Sequence, residues 1–220
     1  MKYEIIGSSS KGNCIIVEDF LMLDCGVSYK SIKDKLSKIK LIFISHVHVD
    51  HLNRKTIEKI NYNFPSIKYI IGSYDVCAKL SMCHIAKRNI YVLPSGKLYD
   101  LGAIIIKLEP LYHDVSNFGL KWEYKGKKGI YVVDTNRIDH IEAKNYDLYL
   151  IENNYQKEIL DNHINECEDR YKLQYLDRVR NTHLSKSDCD DFLINNMGEN
   201  SEFVYLHKSE YNNTYNGEII

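Results

Sequence analysis

The residues with the clearest chemistry are His46-x-His48-x-Asp50-His51, four side chains with metal-ligating atoms within six positions. They directly follow Leu41-Ile42-Phe43-Ile44, an apolar run of strand length. Residues two apart at a strand end point the same way, so His46 and His48 can hold one cation while the next turn aims Asp50 and His51 at a neighbouring position. Imidazole and carboxylate donors suit zinc, manganese or iron, and no cysteine stands nearby to suggest an iron–sulfur centre. With nine histidines in the chain, such a pattern arises by chance in about one chain in a thousand. Histidines without metal, on the surface or in the core, are the plain alternative.

Further candidates share one placement, just past a strongly apolar strand. Asp24 ends Leu21-Met22-Leu23, and His113 follows Ile104-Ile105-Ile106-Lys107-Leu108 and a proline. Asp134 ends Ile130-Tyr131-Val132-Val133, and His207 ends Phe203-Val204-Tyr205-Leu206. Ligands presented at the ends of rigid elements are where a metal site is best built. Each has a structural alternative, since Asp24 and Asp134 can start turns before Gly26 and Asn136.

Around this set lie residues suited to a substrate anion. Thr182-His183-Leu184-Ser185 reads as a helix start, with Ser185 as cap and backbone N–H groups that favour an anion. His183 is expected to contact a substrate phosphate or to protonate a leaving oxygen; packing or capping is its alternative role. Ser9 and Asn13, in the loop Ser8 to Asn13, offer polar contacts, although the loop lacks the Gly-x-x-x-x-Gly-Lys-Ser/Thr arrangement and also reads as a plain hairpin turn. Arg170, Lys172, Arg178 and Arg180 lie along a helix leading to His183, with Tyr171 and Tyr175 interleaved. Phosphate binding needs such cations near the reactive edge. A solvated helix face, offset by Asp169 and Asp177, accounts for the same pattern. A second basic cluster, Lys125, Lys127 and Lys128, occupies a hairpin tip.

The elements that must position these residues alternate along the chain. Tyr3 to Ile6, Cys14 to Val17 and Phe20 to Leu23 read as hairpin-connected strands. Ser28 is expected to cap a helix to about Lys38, with Ile32, Leu36 and Ile39 on one face. Helices near Asn53 to Asn61 and Tyr74 to Ser81 alternate with strands near Lys68 to Ile71 and Ile90 to Leu93. The second half repeats the theme, with strands over Gly102 to Leu111, Phe118 to Tyr124, Ile130 to Val133, Leu148 to Ile151 and Phe203 to Leu206. Two or three helices fill 155 to 196. Strands in both halves with helices between them predict an α/β fold of two sheets sandwiched by helices, and no Pro/Gly/Ser-rich linker divides the 220 residues into separate domains.

Composition narrows the class. At 25.8 kDa and 44% apolar residues the chain can bury a sizeable core in one domain, which excludes disorder and solenoid repetition. A net charge of -1 gives no global affinity for nucleic acid or anionic lipid. No apolar stretch is long enough for a membrane span, and Met1 to Gly7 is too short and charged for a signal peptide, so a cytoplasmic protein is expected. The six scattered cysteines form no Cys-x-x-Cys pair and are expected as reduced, mostly buried thiols.

Over nearly its full length the chain resembles the metallo-β-lactamase-fold hydrolases. That family's order is an Asp at a strand end, then His-x-His-x-Asp-His, then a His, an Asp and a final His, matched here by Asp24, by His46, His48, Asp50 and His51, and by His113, Asp134 and His207. The resemblance implies an αββα four-layer sandwich of two mixed β-sheets flanked by helices, with two divalent metal ions, zinc or manganese, at the open sheet edge. It implies that His46, His48 and His113 hold one metal, that Asp50, His51 and His207 hold the second, that Asp134 bridges both, and that Asp24 orients a ligating imidazole. The finer similarity is to a small bacterial and phage branch related to exonucleases and tRNA 3′-processing endonucleases. It is carried by Gly7 to Asn13, Glu152-Asn153-Asn154-Tyr155, Thr182 to Ser185 and Leu206 to Ser209. Lys208 and Glu210 depart from the Leu-Ser that usually follows the last histidine of that branch. Seventy-three positions separate Asp134 from His207, too few for the large nucleic-acid-clamping insertion some RNA-processing relatives carry there.

Two divalent cations lower the pKa of a bridging water and stabilise charge on attacking and leaving oxygens. The expected activity is therefore a metal-dependent phosphodiesterase or nuclease, using a metal-bridging hydroxide on DNA, RNA or a cyclic nucleotide, with Asp50 orienting that nucleophile. The alternative is hydrolysis of a thioester, lactone or lactam. Redox relatives of diiron type generally carry Glu at the second motif position, where this chain has His48. A non-catalytic binding module is the remaining class, and an intact ligand set argues against it. Monomer and homodimer both stay open.

Overall fold

Six strands form the first sheet in chain order: β1 (Tyr3–Gly7), β2 (Cys14–Val17), β3 (Leu21–Leu23), β4 (Leu41–Ile44), β5 (Lys68–Ile71) and β6 (Ile90–Val92). Short loops pair β1, β2 and β3 antiparallel, while crossovers through helices make β3 to β6 parallel. The second sheet contains β7 (Leu98–Asp100), β8 (Ile105–Leu111), β9 (Asn117–Tyr124), β10 (Lys127–Val132), β11 (Leu148–Glu152) and β12 (Glu202–Leu206), again in sequential order. Here β7 to β10 are antiparallel and β10, β11 and β12 parallel. The structure, a computed structural model, describes residues 1–209 and the short strand pair Thr214–Tyr215 and Glu218–Ile219. Glu210 lies outside the described residues.

Period-two alternation sorts the strand residues between layers. Phe43 of β4 faces inward with Leu23, Ile70, Ile106, Leu120, Trp122 and Leu150, forming the core between the sheets. Its neighbours Ile42 and Ile44 face outward and pack beneath the helices α1 (Tyr29–Ile32), α2 (Arg54–Asn63) and α3 (Tyr74–Met82) through Ile32, Ile57 and Leu80. On the far side, Tyr149 and Ile151 pack against Phe192 and Leu193 of α6 (Lys186–Asn196). Helices α4 (Lys157–Asn165) and α5 (Arg170–Thr182) join through Leu160, Leu176 and Val179. The result is the α/β four-layer αββα sandwich expected from the sequence. No helix among the described residues is long and apolar enough to cross a membrane.

Two expected elements differ. The helix from Ser28 to Lys38 is a single turn, α1, because residues 33–39 wind through three-residue bonds such as Lys35 N to Ile32 O and Ile39 N to Leu36 O. Tighter winding still buries Ile32, Leu36 and Ile39. The expected strand from Gly102 begins instead at Ile105, since Gly102 adopts a φ of 85° and its N–H donates to Asp100 Oδ1, turning the chain back from β7.

One buried ion pair stiffens the second sheet. Lys121 Nζ on β9 donates to Glu109 Oε1 on β8 at 2.6 Å and to the carbonyl of Glu142 at 2.7 Å, with both side chains at most 10% exposed. Burial alone would raise the Glu109 carboxyl; bonds from Lys107 and Lys121 outweigh it and hold the pKa below its usual value. Glu109→Gln is expected to destabilise the fold by about 3 kcal/mol, because Lys121 keeps a buried charge without its partner. A folded pKa below the unfolded one means that the pair's stabilisation is present above the ordinary carboxyl range and is lost as pH falls. Urea unfolding of wild type and variant between neutral and acid pH checks both, since the difference between them must shrink on acidification.

Candidate metal centre

Every expected ligand sits where a strand stops. The C-terminal ends of the parallel strands β3 and β4 lie at the same edge of the sandwich as those of β10, β11 and β12. Asp24 follows β3, His46 follows β4 after Ser45, Asp134 follows β10 after Val133, Glu152 closes β11, and His207 follows β12. Three of these, Asp24, Asp134 and His207, have φ values of 57°, 54° and 52°. A left-handed residue ends each strand abruptly and turns its side chain into the cleft between the sheets, at a backbone cost that Asp and His tolerate better than most residues.

These ends bring together two groups of ligand atoms, His46 with His48, His113 and Asp134, and Asp50 with His51, Asp134 and His207. In the first group His48 Nδ1 lies 3.1 Å from His46 Nε2 and 3.3 Å from His113 Nε2. In the second, His51 Nε2 lies 3.0 Å from Asp134 Oδ2 and 3.5 Å from Asp50 Oδ2. Asp134 Oδ2 is also 3.4 Å from His46 Nε2, so one carboxylate reaches both groups. The grouping is the one the family resemblance implies. A third group, Asp134, Glu152, His183 and His207, shares the same carboxylate.

Partners behind the ligands fix which nitrogen faces inward. His51 Nδ1 bonds Asp24 Oδ2 at 2.6 Å, His113 Nδ1 bonds the Thr182 carbonyl at 3.0 Å, and His46 Nδ1 meets Ser45 Oγ at 3.0 Å. Each leaves Nε2 for a cation. Asp24 is wholly buried and also accepts from Ser45 N, Ser45 Oγ and Tyr131 Oη, each at 2.8 Å. Nothing in the sequence marks Tyr131 for this task, because its hydroxyl arrives from β10, in the other sheet.

Residues of these types, so arranged, fit divalent cations. Asp134 Oδ1 and His207 Nε2 are buried without a hydrogen-bond partner, an expensive arrangement that a cation resolves. Burial would raise the Asp134 carboxyl, but the imidazoles of His207 and His51 hold it well below its usual range. Burial would lower His207, yet Asp134, Asp50 and Glu152 push it up to about 10. His46 and His113, by contrast, are pushed down mainly by burial, toward the neutral form that ligates.

Above the ligands opens a cavity of about 550 Å³. Ser9 and Arg178 line it together with Lys11, Lys208 and His183. Asn13 does not belong to the lining. It is buried beneath, where its N–H donates to the Asp50 carbonyl at 2.7 Å and its Nδ2 lies 3.0 Å from His51 Nε2, so the expected substrate contact is instead a brace for the motif loop. Ser8 takes a similar part, its Oγ accepting from His207 N at 2.8 Å. Arg178 is paired with Asp114, not with Asp169, which caps α5, or Asp177. Ser185 caps α6 as expected, its Oγ accepting from Asp188 N.

Glu152 is the residue whose role the sequence did not disclose. Wholly buried, it receives His183 Nδ1 at 2.6 Å and lies 3.2 Å from His207 Nδ1, while its other oxygen accepts from Thr135 N and Leu184 N. Burial would lower the His183 imidazole, but the Glu152 carboxylate raises it above its usual value.

The architecture has known counterparts. Human tRNase Z, short form, superposes with a TM-score of 0.68 at 15% identity, covering 94% of this chain and 92% of that one. YhfI from Bacillus subtilis, described as a metallo-beta-lactamase fold protein, gives 0.66 at 14% identity over 94% and 85%. Zn(2+)-bound PqqB from Methylobacterium extorquens gives 0.63 at 11% identity over 94% and 89%. The chain therefore has the metallo-β-lactamase fold. No family model matches it. Among curated proteins, the cytidine monophosphate-N-acetylneuraminic acid hydroxylases of Asterias rubens and Sus scrofa are each 31% identical, over 106 and 108 residues. Those matches span 46% and 47% of this chain but only 16% and 25% of the hydroxylases.

Proposed function

We propose that the protein is a metal-dependent phosphodiesterase or nuclease, of the kind found in the bacterial and phage branch that its accessory motifs resemble. The observation that carries this reading is the content of one cavity: two ligand groups sharing Asp134, an imidazole backed by a buried carboxylate, and a rim of Lys11, Arg178 and Lys208. Cations at the rim suit an anionic diester better than a neutral lactam or lactone.

His46, His48 and His113 would hold one divalent ion and Asp50, His51 and His207 the second, with Asp134 between them. Ions so held supply Lewis-acid polarisation and an acidified water. The rest of the chemistry falls to the chain's own side chains. Asp50, held ionised by His207 and His51 against the cost of burial, accepts a hydrogen bond from the attacking water and orients it. As the P–O ester bond breaks, the leaving oxygen takes a proton from His183 Nε2, the nitrogen left free when Nδ1 binds Glu152. Glu152 keeps the ring oriented and its charge supported. Human tRNase Z, a nuclease by name, shares the fold and supports phosphorus over acyl carbon.

Hydrolysis of bis-p-nitrophenyl phosphate, a thioester and nitrocefin by zinc- or manganese-loaded protein tests the reading. The diester is expected to turn over, with His183→Ala slowing it by about 10²-fold or more and leaving metal content unchanged. Turnover of thioester or lactam alone moves the protein to the alternative hydrolase class. An unchanged rate in His183→Ala removes that residue's role. The name of the hydroxylases that the chain partly matches favours a second reading, redox chemistry; metal-dependent oxygen uptake with no diester cleavage would establish it instead.

A further inference from the structure

Helix α5 carries a stripe that leads away from the cavity. Tyr171, Tyr175, Arg178 and Thr182 fall at i, i+4, i+7 and i+11 and so share one face. The stripe ends at the metal centre, since the Thr182 carbonyl holds His113 Nδ1 and both Tyr175 and Arg178 line the cavity. Leu176 and Val179 bury the helix against its neighbour, whereas Tyr171 is 83% and Tyr175 48% exposed. Arg178 is tied to the centre: its Nε and Nη2 donate to Asp114 Oδ2, and Asp114 Oδ1 lies 3.1 Å from His113 Nε2 and 3.4 Å from His48 Nε2.

We propose that this face is a track for single-stranded nucleic acid, two bases lying on Tyr175 and Tyr171 while Arg178 takes the phosphate nearest the cavity. The proposal rests on the phosphodiesterase reading and names its substrate class. Spacing selects the strand. Four residues of helix place the two tyrosines about 6 Å apart along the axis, whereas bases stacked within a strand are about 3.4 Å apart. Two rings so separated suit bases splayed from one another, each with a free face. A duplex hides those faces in its stack. A cyclic nucleotide has one base and leaves Tyr171 without a role. Lys11 and Lys208 on the cavity rim continue the positive path for the backbone.

Fluorescence anisotropy on the zinc-loaded full chain, with hydrolysis-resistant phosphorothioate oligothymidylate and oligouridylate, tests the track. Long single strands are expected to bind more tightly than a blunt duplex of equal length. Tyr175→Ala and Tyr171→Ala should each weaken that binding about tenfold, with Tyr171→Phe restoring it. A mononucleotide should be insensitive to Tyr171→Ala, and Arg178→Gln should lower the salt slope by about one. Comparison of the two oligomers tells DNA from RNA. Duplex binding as tight as single-strand binding, or wild-type affinity for the long strand in a folded Tyr171→Ala protein, overturns the proposal. Failure of wild-type protein to cleave bis-p-nitrophenyl phosphate overturns the hydrolytic reading separately, because the binding measurement involves no cleavage.

Discussion

Asp134→Asn is expected to lower diester hydrolysis by about 10³-fold or more and to reduce bound zinc below the wild-type stoichiometry. Its carboxylate belongs to all three groups of ligand atoms, with one oxygen 3.0 Å from His51 Nε2 and 3.4 Å from His46 Nε2. Loss of the negative charge removes the only acidic donor common to both principal groups, and several kcal/mol of charge stabilisation in a buried site corresponds to a rate loss of that order. Asparagine is the proper replacement because it accepts the left-handed backbone at this position, φ 54°. Metal analysis of dialysed protein, with steady-state rates, checks the expectation. A variant that keeps both its full metal and its rate would show that Asp134 is not the shared ligand.

Gly26→Ala should act as severely without touching a ligand. A Cβ on Gly26 would stand 1.7 Å from the Asp50 carbonyl oxygen and 2.9 Å from Asn13 N, both backbone atoms. These segments are already clamped: Gly26 N donates to the Asn13 carbonyl at 2.8 Å, and Asn13 N to the Asp50 carbonyl at 2.7 Å. The methyl group therefore forces the Asp50–His51 turn out of its present position. A loss of about 3 kcal/mol in folding stability is expected, with weakened zinc affinity. Urea unfolding and competition against a chromogenic chelator measure the two effects. Stability within about 0.5 kcal/mol of wild type, at the scale of an ordinary surface change, would show that the turn has room to move.

Much of the centre was legible because its residues either crowd into one motif or end an obvious apolar strand. His46, His48, Asp50 and His51 are neighbours in sequence, and Asp24, Asp134 and His207 each close a run whose burial the composition dictates. The layer order followed from alternating strands and helices. What stayed hidden depends on distance across the fold. Glu152 meets His183 from 31 positions away, because β11 lies between β10 and β12 and its last residue lands beneath the cavity. Tyr131 reaches Asp24 across the space between the sheets. Asn13 looked like a loop residue offered to substrate, and only the approach of Gly26 to Asp50 shows why it is buried. The short α1 reflects the change to three-residue winding after Ile32, which residue type alone does not reveal.

The left-handed strand ends also limit which chemistry the site can acquire. At positions 24, 134 and 207 the backbone readily admits Asp, Asn, His and Gly, and resists β-branched and bulky side chains. Of that set, only Asp and His are strong cation ligands. The torsion angle at these corners thus favours imidazole and short carboxylate donors before any metal is chosen. Exchanges between Asp and His at these corners therefore stay within reach of single substitutions.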